Sequence, residues 1–312
     1  MKKLFFFFID GIGLGSSDSA IKYLFKDITG IPLIQIKKPA FLNNGVLCPV
    51  DASLDIPGIP QSATGQATIF TGINAAQYLG YHLTALPNQK LVKLIERKSL
   101  MKALKDKDVS VTSANLYSEE FFQKRVARRR NAFPVSTLTI NAAGVPFRYF
   151  DDYKKGEAVF ADITNRLIRE RGYDIKEISP ETAAKNLLNI LKGNQFVFFE
   201  YFMTDIYGHK RNKEGLEESI DILNRFTETV FRGLESSDSS ILIISDHGNS
   251  EDLTSGEHTC NPVPGLLLTK NKRSAINFAE SVKTLEDIYP WVLGYFAQKT
   301  NYKPDLPYIR KI

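Results

Sequence analysis

Only two cysteines occur in the 312 residues, Cys48 and Cys260, far apart and without a CxxC or other paired spacing. That scarcity argues against a disulfide framework and makes a reducing cytoplasm the simpler setting. Long apolar runs are missing too. The run Leu4–Ile9 ends at Asp10 after six residues, short for the core of a secretory leader, and no small-residue cleavage site follows. It is expected to be a buried first strand, and no other run is long enough to span a bilayer, so a soluble chain with no membrane partner is expected. Nor does one sign of charge dominate: 40 Lys and Arg face 35 Asp and Glu. A formal charge of +5 does not by itself mark a nucleic-acid binder and suits an enzyme that handles anions. Repeats and low-complexity segments are absent. The remaining composition, 43% hydrophobic and 24% charged, is ordinary for a chain that buries a full core, in one large domain or two of modest size.

What is present is an alternation. Leu4–Ile9 leads into Asp10-Gly11, Val109–Thr112 into Ser113-Ala114-Asn115, Gln195–Glu200 into Tyr201–Asp205, and Ile241–Ile244 into Ser245-Asp246-His247. Helix-like stretches lie between them at Gly65–Thr71, Lys90–Lys105, Pro180–Leu191, Glu214–Gly233 and Lys283–Gln298. This order predicts an α/β fold with a mostly parallel central sheet flanked by helices, whose ligands gather at the carboxyl ends of the strands. The stretch 118–171 departs from the pattern. It holds a basic cluster from Lys124 to Arg130, an expected extended segment at Phe133–Ile140, and an aromatic, charged run at Tyr149–Lys155. It reads as a small inserted cap, leaving 1–117 and 172–312 as the core.

The chain has four histidines, and three of them stand in short motifs with acidic or small polar neighbours. Asp205 and His209 are four residues apart, which on a helical turn aims both side chains the same way. Asp246 and His247 follow an apolar strand, and Glu257-His258-Thr259 comes soon after. Imidazole with carboxylate suits Zn²⁺ or Mn²⁺, whereas oxygen-only ligands would suit Mg²⁺ or Ca²⁺. Singly, each histidine reads as a satisfied core or surface residue; three in such motifs, with Asp10 ending another strand, read as a metal centre. Ser62 opens a helix that stops at Gly72. Two compatible roles follow: an N-cap, or a metal-activated nucleophile with the first helical N–H groups facing phosphoryl oxygens.

These residues resemble the alkaline phosphatase superfamily, in its branch of cofactor-independent phosphoglycerate mutases and phosphopentomutases. Phe8-Ile9-Asp10-Gly11 is similar to the first metal-binding strand, and Ser62-Ala63-Thr64-Gly65-Gln66 to the nucleophile segment, with Gln66 where the mutases carry His. Asp205 to His209, Asp246-His247-Gly248-Asn249 with Glu251, and His258 to Pro264 are similar to the metal motifs. The resemblance covers roughly 1–90 and 180–270. It implies an alkaline phosphatase-like fold with two divalent ions, Mn²⁺ or Zn²⁺. One would be held by Asp205, His209 and His258, the other by Asp10, Asp246, His247 and the Ser62 oxygen. It also implies in-line attack by Ser62 and a phosphoserine, whose phosphoryl group passes to water or back to the substrate.

The cap is far smaller than the domain inserted in full-length mutases, and Gly72-Ile73-Asn74 lacks the Arg that follows their helix. A small cap favours hydrolysis. The expected activity is therefore a phosphatase acting on a small phosphorylated metabolite, with a phosphomutase or a phosphodiesterase as alternatives. His82 is a candidate phosphate donor or a structural loop histidine. Arg125, Arg128 and Arg130 are candidates to clamp an anionic substrate, or form a solvated basic face. A nucleic-acid-binding module built on the arginine run is the remote alternative, and no nucleic-acid partner is expected. Nothing in the sequence fixes the oligomeric state.

Overall fold

The computed structural model describes residues 2–127, 133–234 and 238–297, with the backbone alone for 124–127. Strand β1 (Lys3–Ile9) is the spine of its sheet, and Leu4 to Ile9 are wholly buried, as a strand covered on both faces requires. Its side chains alternate between two layers. Phe6 and Phe8 join Phe70, Phe196 and Phe198, while Phe5 and Phe7 join Phe199 and Phe226. The rings of Phe70 and Phe198 meet edge-on at 5.4 Å, and those of Phe7 and Phe226 at 5.6 Å. Such pairs contribute about 0.5–1.5 kcal/mol each beyond the area they bury.

The other strands are β2 (Ala40–Leu42), β3 (Gly45–Val50), β4 (Val111–Ser113), β5 (Phe196–Tyr201), β6 (Ser239–Ile244) and β7 (Val263–Thr269). They lie in the order β2-β3-β7-β6-β1-β5-β4. Strands β4, β5, β1 and β6 are parallel neighbours. Strand β7 runs against β6, and β3 runs against β7, so β3 points the same way as the central four. The sheet is thus mixed but mostly parallel, flanked by helices on both faces, as expected. Strands β2, β3 and β7 escape a pattern reading because they are short or are broken by Pro49, Pro264 and Gly265.

The reversal of β7 shapes the site. Val50 at the end of β3 pairs with Val263 at the start of β7. The loop entering β7 therefore stands at the same sheet edge as the carboxyl ends of β1, β3, β4, β5 and β6. On one face the buried helix Ser62–Thr71 packs under β1; on the other, the Pro180–Gly193 and Lys213–Gly233 helices pack together. The stretch Lys90–Lys105 is two helices, Gln89–Lys98 and Leu100–Lys105, parted at Ser99. The Ser99 hydroxyl accepts from Lys102 N and donates 2.9 Å to the Thr139 carbonyl, so the break is anchored.

One expectation is corrected. Phe133–Ile140 is not extended; Val135–Ala142 is a helix, with Pro134 as its N-cap. The β-branched Val135, Thr137, Thr139 and Ile140 mimic a strand, but the helix lies against Gln89–Lys98 and buries Val135 and Ile140 in the main core. Tertiary packing overrides propensity there. Farther along, Leu116, Ala158, Phe160, Ile168 and Ile175 form a small cluster of their own. Within the stretch 118–171, the Val135–Ala142 helix is thus continuous with the main core, while Ala158, Phe160 and Ile168 belong to the small cluster. Among the described residues no helix is long and apolar enough to cross a membrane, and both cysteines are free.

Candidate metal centre

Each element that ends at this edge supplies a side chain. Asp10 follows β1, and its N–H donates to the Tyr201 carbonyl at the end of β5. Asp205 and His209 lie on the helix Met203–His209 that follows β5, with Oδ2 and Nε2 3.4 Å apart. Asp246 and His247 follow β6 and are wholly buried. His258 comes from the loop entering β7. Ser62 is the first helical residue, and Gln61 holds the cap position, so the serine hydroxyl is not the N-cap. Instead its Oγ lies 2.9 Å from His247 Nε2.

The imidazoles are oriented from behind. His209 Nδ1 is 2.8 Å from the Gly256 carbonyl, and His258 Nδ1 is 2.9 Å from the Pro60 carbonyl. A carbonyl only accepts, so in each neutral ring Nδ1 carries the proton and Nε2 presents a lone pair. Those two Nε2 atoms face each other at 3.2 Å, with Asp205 oxygens 3.4 and 3.7 Å away. Two lone pairs at that separation repel unless a cation lies between them. Next to them, His247 Nε2 is 3.3 Å from Asp10 Oδ1 and 3.6 Å from Asp246 Oδ2. Asp205, His209 and His258 offer ligand atoms within 4.8 Å of one another, and so do Asp10, Asp205 and His247. Asp205 belongs to both groups.

Two observations test whether divalent ions fit. The Oδ1 atom of Asp246 is buried with no hydrogen-bond partner, a costly state for a carboxylate that cation binding would relieve, and Asp10 Oδ1 has only the His247 imidazole, 3.3 Å away. The donor set, imidazole with carboxylate and one serine oxygen, matches Zn²⁺ or Mn²⁺. The residues fit. Burial raises the Asp205 and Asp246 carboxyls above the usual range, and the negative charge of Asp10 adds to it. Burial also opposes a charge on His247, but Asp246 and Asp10 outweigh it and lift that imidazole to about 10. Burial and the neighbouring His247 lower His258 to about 4.

Sequence reasoning named Glu251 only within a motif and did not assign it a role. Its buried carboxylate accepts from Gly13 N and Asn249 N at 2.8 Å each, from Asn261 Nδ2 at 3.1 Å, and from the Thr259 hydroxyl. It ties the segments bearing Asp10, Asp246 and His258 into one rim. Glu251→Ala is expected to lower stability by about 3 kcal/mol, because buried N–H donors lose their acceptor; urea melts of the chelated protein check this. Gln66, which takes the place of the mutase His, donates 3.1 Å to Asp246 Oδ2. A Cβ on Gly65 would sit 2.7 Å from the Asp246 carbonyl oxygen, so only glycine lets the Ser62 helix approach this closely.

Glu200 was missed outright. It is the penultimate residue of β5, an otherwise apolar strand, and a lone carboxylate in such a run was the available signal. Ser136 donates 2.7 Å to its Oε2, and Asn115 bonds both of its backbone groups. Burial raises the Glu200 carboxyl from its ordinary 4.5 to about 7 against the Ser136 bond, with Asp10 adding to the rise. Between those values the unfolded chain sheds a proton that the folded protein keeps. Stability therefore falls as pH rises through that window, and the full penalty stands above it. Glu200→Gln is expected to stabilise the chelated protein by about 2 kcal/mol at pH 8, and hardly at all at pH 4, as read from urea melts at the two pH values.

Asp10, Ser62, Asp205, His209 and His258 form the floor of a cavity of about 730 Å³. His82 is not brought to it; its Nε2 lies 3.2 Å from the Ile56 carbonyl. Arg128 and Arg130 lie outside the described residues, as does the side chain of Arg125.

The sequence profile of the Metalloenzyme superfamily matches residues 156–300. The chain is 29% identical over 149 residues to a 2,3-bisphosphoglycerate-independent phosphoglycerate mutase from Antithamnion, covering 44% of this chain and 29% of that one. It is 23% identical over 273 residues to the protein of that name from Metamycoplasma hominis, covering 84% and 50%. The chain thus spans half or less of the length of these curated relatives. Among solved structures, a Pyrococcus horikoshii protein superposes with a TM-score of 0.58 at 15% identity, over 97% of this chain and 99% of that one. The alkaline phosphatase of the Antarctic bacterium TAB5 does so with 0.52 at 12% identity, over 95% and 98%. At such identities the structural likeness speaks for the fold. The chain is thus similar in sequence to the Metalloenzyme superfamily over residues 156–300, and similar in fold to an alkaline phosphatase. In sequence it resembles proteins named 2,3-bisphosphoglycerate-independent phosphoglycerate mutase.

Proposed function

We propose that the protein is a divalent-metal-dependent phosphoryl-transfer enzyme that takes a small phosphate ester through a phosphoserine at Ser62 and ends in hydrolysis. The observation that carries this reading is the shared floor: Ser62 Oγ lies 2.9 Å from His247 Nε2, beside two imidazoles whose Nε2 lone pairs converge on Asp205. The side chains suited to hold ions are Asp205, His209 and His258 on one side, and Asp10, Asp246 and His247 with the Ser62 oxygen on the other. Two bound divalent ions would supply positive charge that lowers the pKa of the Ser62 hydroxyl and offsets charge on the phosphoryl oxygens. The N–H groups that open the Ser62–Thr71 helix have no side-chain cap and are available to those oxygens.

In the forward step Ser62 Oγ, its proton lost to solvent, forms a bond to phosphorus while the ester P–O bond breaks, and the alcohol leaves with a proton from water. Water then cleaves the phosphoserine. Likeness to proteins named phosphoglycerate mutases favours a second ending, in which the phosphoryl group returns to another oxygen of the substrate. Supplying Mn²⁺ or Zn²⁺ with an aryl phosphate and measuring inorganic phosphate tests the first ending; an isomerised ester with no phosphate release would establish the second. Full activity in both Ser62→Ala and Asp246→Ala would remove the mechanism. The free thiols fit a reducing compartment, and we place the enzyme in the cytoplasm as part of this proposal.

A further inference from the structure

Asn249 follows Asp246 and His247 in the loop after β6, and its side chain is wholly buried. Its Nδ2 donates 2.7 Å to Asp205 Oδ1 and 3.3 Å to the Asp205 carbonyl. Both partners only accept, so the amide nitrogen and not the oxygen faces Asp205. Asn249 Oδ1 is left buried with no hydrogen-bond partner. A half-satisfied buried amide is a costly way to stabilise a fold, and it calls for another reason to be there. Glycines allow the close approach. A Cβ on Gly208 would sit 2.6 Å from Asn249 Oδ1 and 3.0 Å from its Nδ2, and a Cβ on Gly11 would sit 2.6 Å from Asp205 Oδ1. Gly11 follows β1, Gly208 lies on the Met203–His209 helix after β5, and Asn249 follows β6, so three strand ends meet at one carboxylate. The backbone of Asn249 is itself held, its N–H donating 2.8 Å to Glu251 Oε2.

We infer that Asn249 is a positioning residue: its amide fixes the Asp205 carboxylate and thereby sets the affinity of the centre for divalent ions. The inference rests on the metal centre of the proposed function and deepens it. With Oδ1 engaged by Asn249, Asp205 Oδ2 stands 3.4 Å from His209 Nε2. Asp205 is also the carboxylate common to both groups of potential ligands, so its orientation bears on each of them. A carboxylate free to turn spreads over several rotamers, and only some of them present an oxygen to an ion. One that is already fixed gives up no such freedom on binding. Asn249 comes from the segment that carries Asp246 and His247, and it therefore ties one group of ligands to the other.

Calorimetric titration of the metal-stripped full chain with Mn²⁺ tests it, without recourse to activity. Asn249→Ala is expected to raise the Mn²⁺ concentration needed for half-loading roughly 10–100-fold, the usual effect of losing a hydrogen-bond partner of a metal ligand. The number of ions bound at saturation should stay that of the wild type, because every ligand remains. Gly208→Ala leaves both Asn249 and Asp205 in the chain, but its methyl must displace the amide. It is expected to weaken binding by a similar factor, and it gives a second reading should Asn249→Ala fold poorly. The double variant should lose no more than Asn249→Ala alone, since both changes act through one bond. Half-loading unchanged in either single variant, with the wild type binding Mn²⁺, overturns the inference and leaves the metal centre standing. An additive loss in the double variant also overturns it, for Gly208 would then act through its neighbour His209. A wild type that binds no Mn²⁺ overturns the inference and the metal centre together.

Discussion

Ser62→Ala is expected to lower kcat for aryl phosphate hydrolysis by roughly 10³-fold or more, with no loss of stability, because it removes the atom that bonds to phosphorus. The two halves of that expectation separate the roles open to this serine. Were Ser62 an N-cap, alanine would cost about 1 kcal/mol and leave chemistry largely alone. The cap position belongs to Gln61, however, and no side chain caps this helix. At the first helical position alanine is a favourable residue, so the variant should melt within about 0.5 kcal/mol of the wild type. The Ser62 hydroxyl is spent on His247 Nε2, 2.9 Å away, not on the helix. Intact-mass spectrometry after acid quench should show a singly phosphorylated wild type under turnover and none in the variant. A stable variant that keeps its rate would mean that another nucleophile, a water molecule included, attacks phosphorus directly.

Much of this was readable from the chain, for identifiable reasons. The strand-then-acid alternation marks a parallel sheet because central strands are buried on both faces and so read as largely apolar runs, as β1, β5 and β6 do. Side chains just beyond such strands fall on one edge whatever the loops do, so Asp10, Asp205 and Asp246 were bound to be neighbours once the strands were parallel. His258 is the instructive case. It precedes a strand instead of following one, and only the reversal of β7 brings it to the same edge. No periodicity in Val263–Thr269 announces that reversal; likeness to the family suggested only that His258 belongs with the ligands. Ser136 and Glu200 show what sequence hides, since their bond joins residues 64 apart through a helix whose β-branched residues mimic a strand. His82 fits the structural alternative held open for it. Proximity in sequence to the Ser62 helix does not carry it into the cavity, because its ring turns back to the Ile56 carbonyl.

Metal stoichiometry carries the second large effect. Asp205, His209 and His258 form one group of potential ligands, and Asp10 with His247 and the buried Asp246 a neighbouring one. Each variant that empties one group should leave the other able to load. His209→Ala is therefore expected to reduce bound Mn²⁺ or Zn²⁺ from two equivalents to one, and Asp246→Ala to do the same. The double variant should bind none, and each single variant should lose roughly 10³-fold in rate. Asp205 breaks the symmetry: it stands in both groups, so Asp205→Ala should lower occupancy of both at once and cost more metal than either of the others. Loading should also stabilise. Ions that bind only the folded chain add about 4 kcal/mol per site at a thousand times their dissociation constant, and here they would also cover the orphaned carboxylate oxygen of Asp246. Elemental analysis beside thermal melts, with and without chelator, reads both quantities. One equivalent in the wild type, unaffected by Asp246→Ala, would reduce the centre to a single ion at Asp205, His209 and His258, and Ser62 would then need another source of activation.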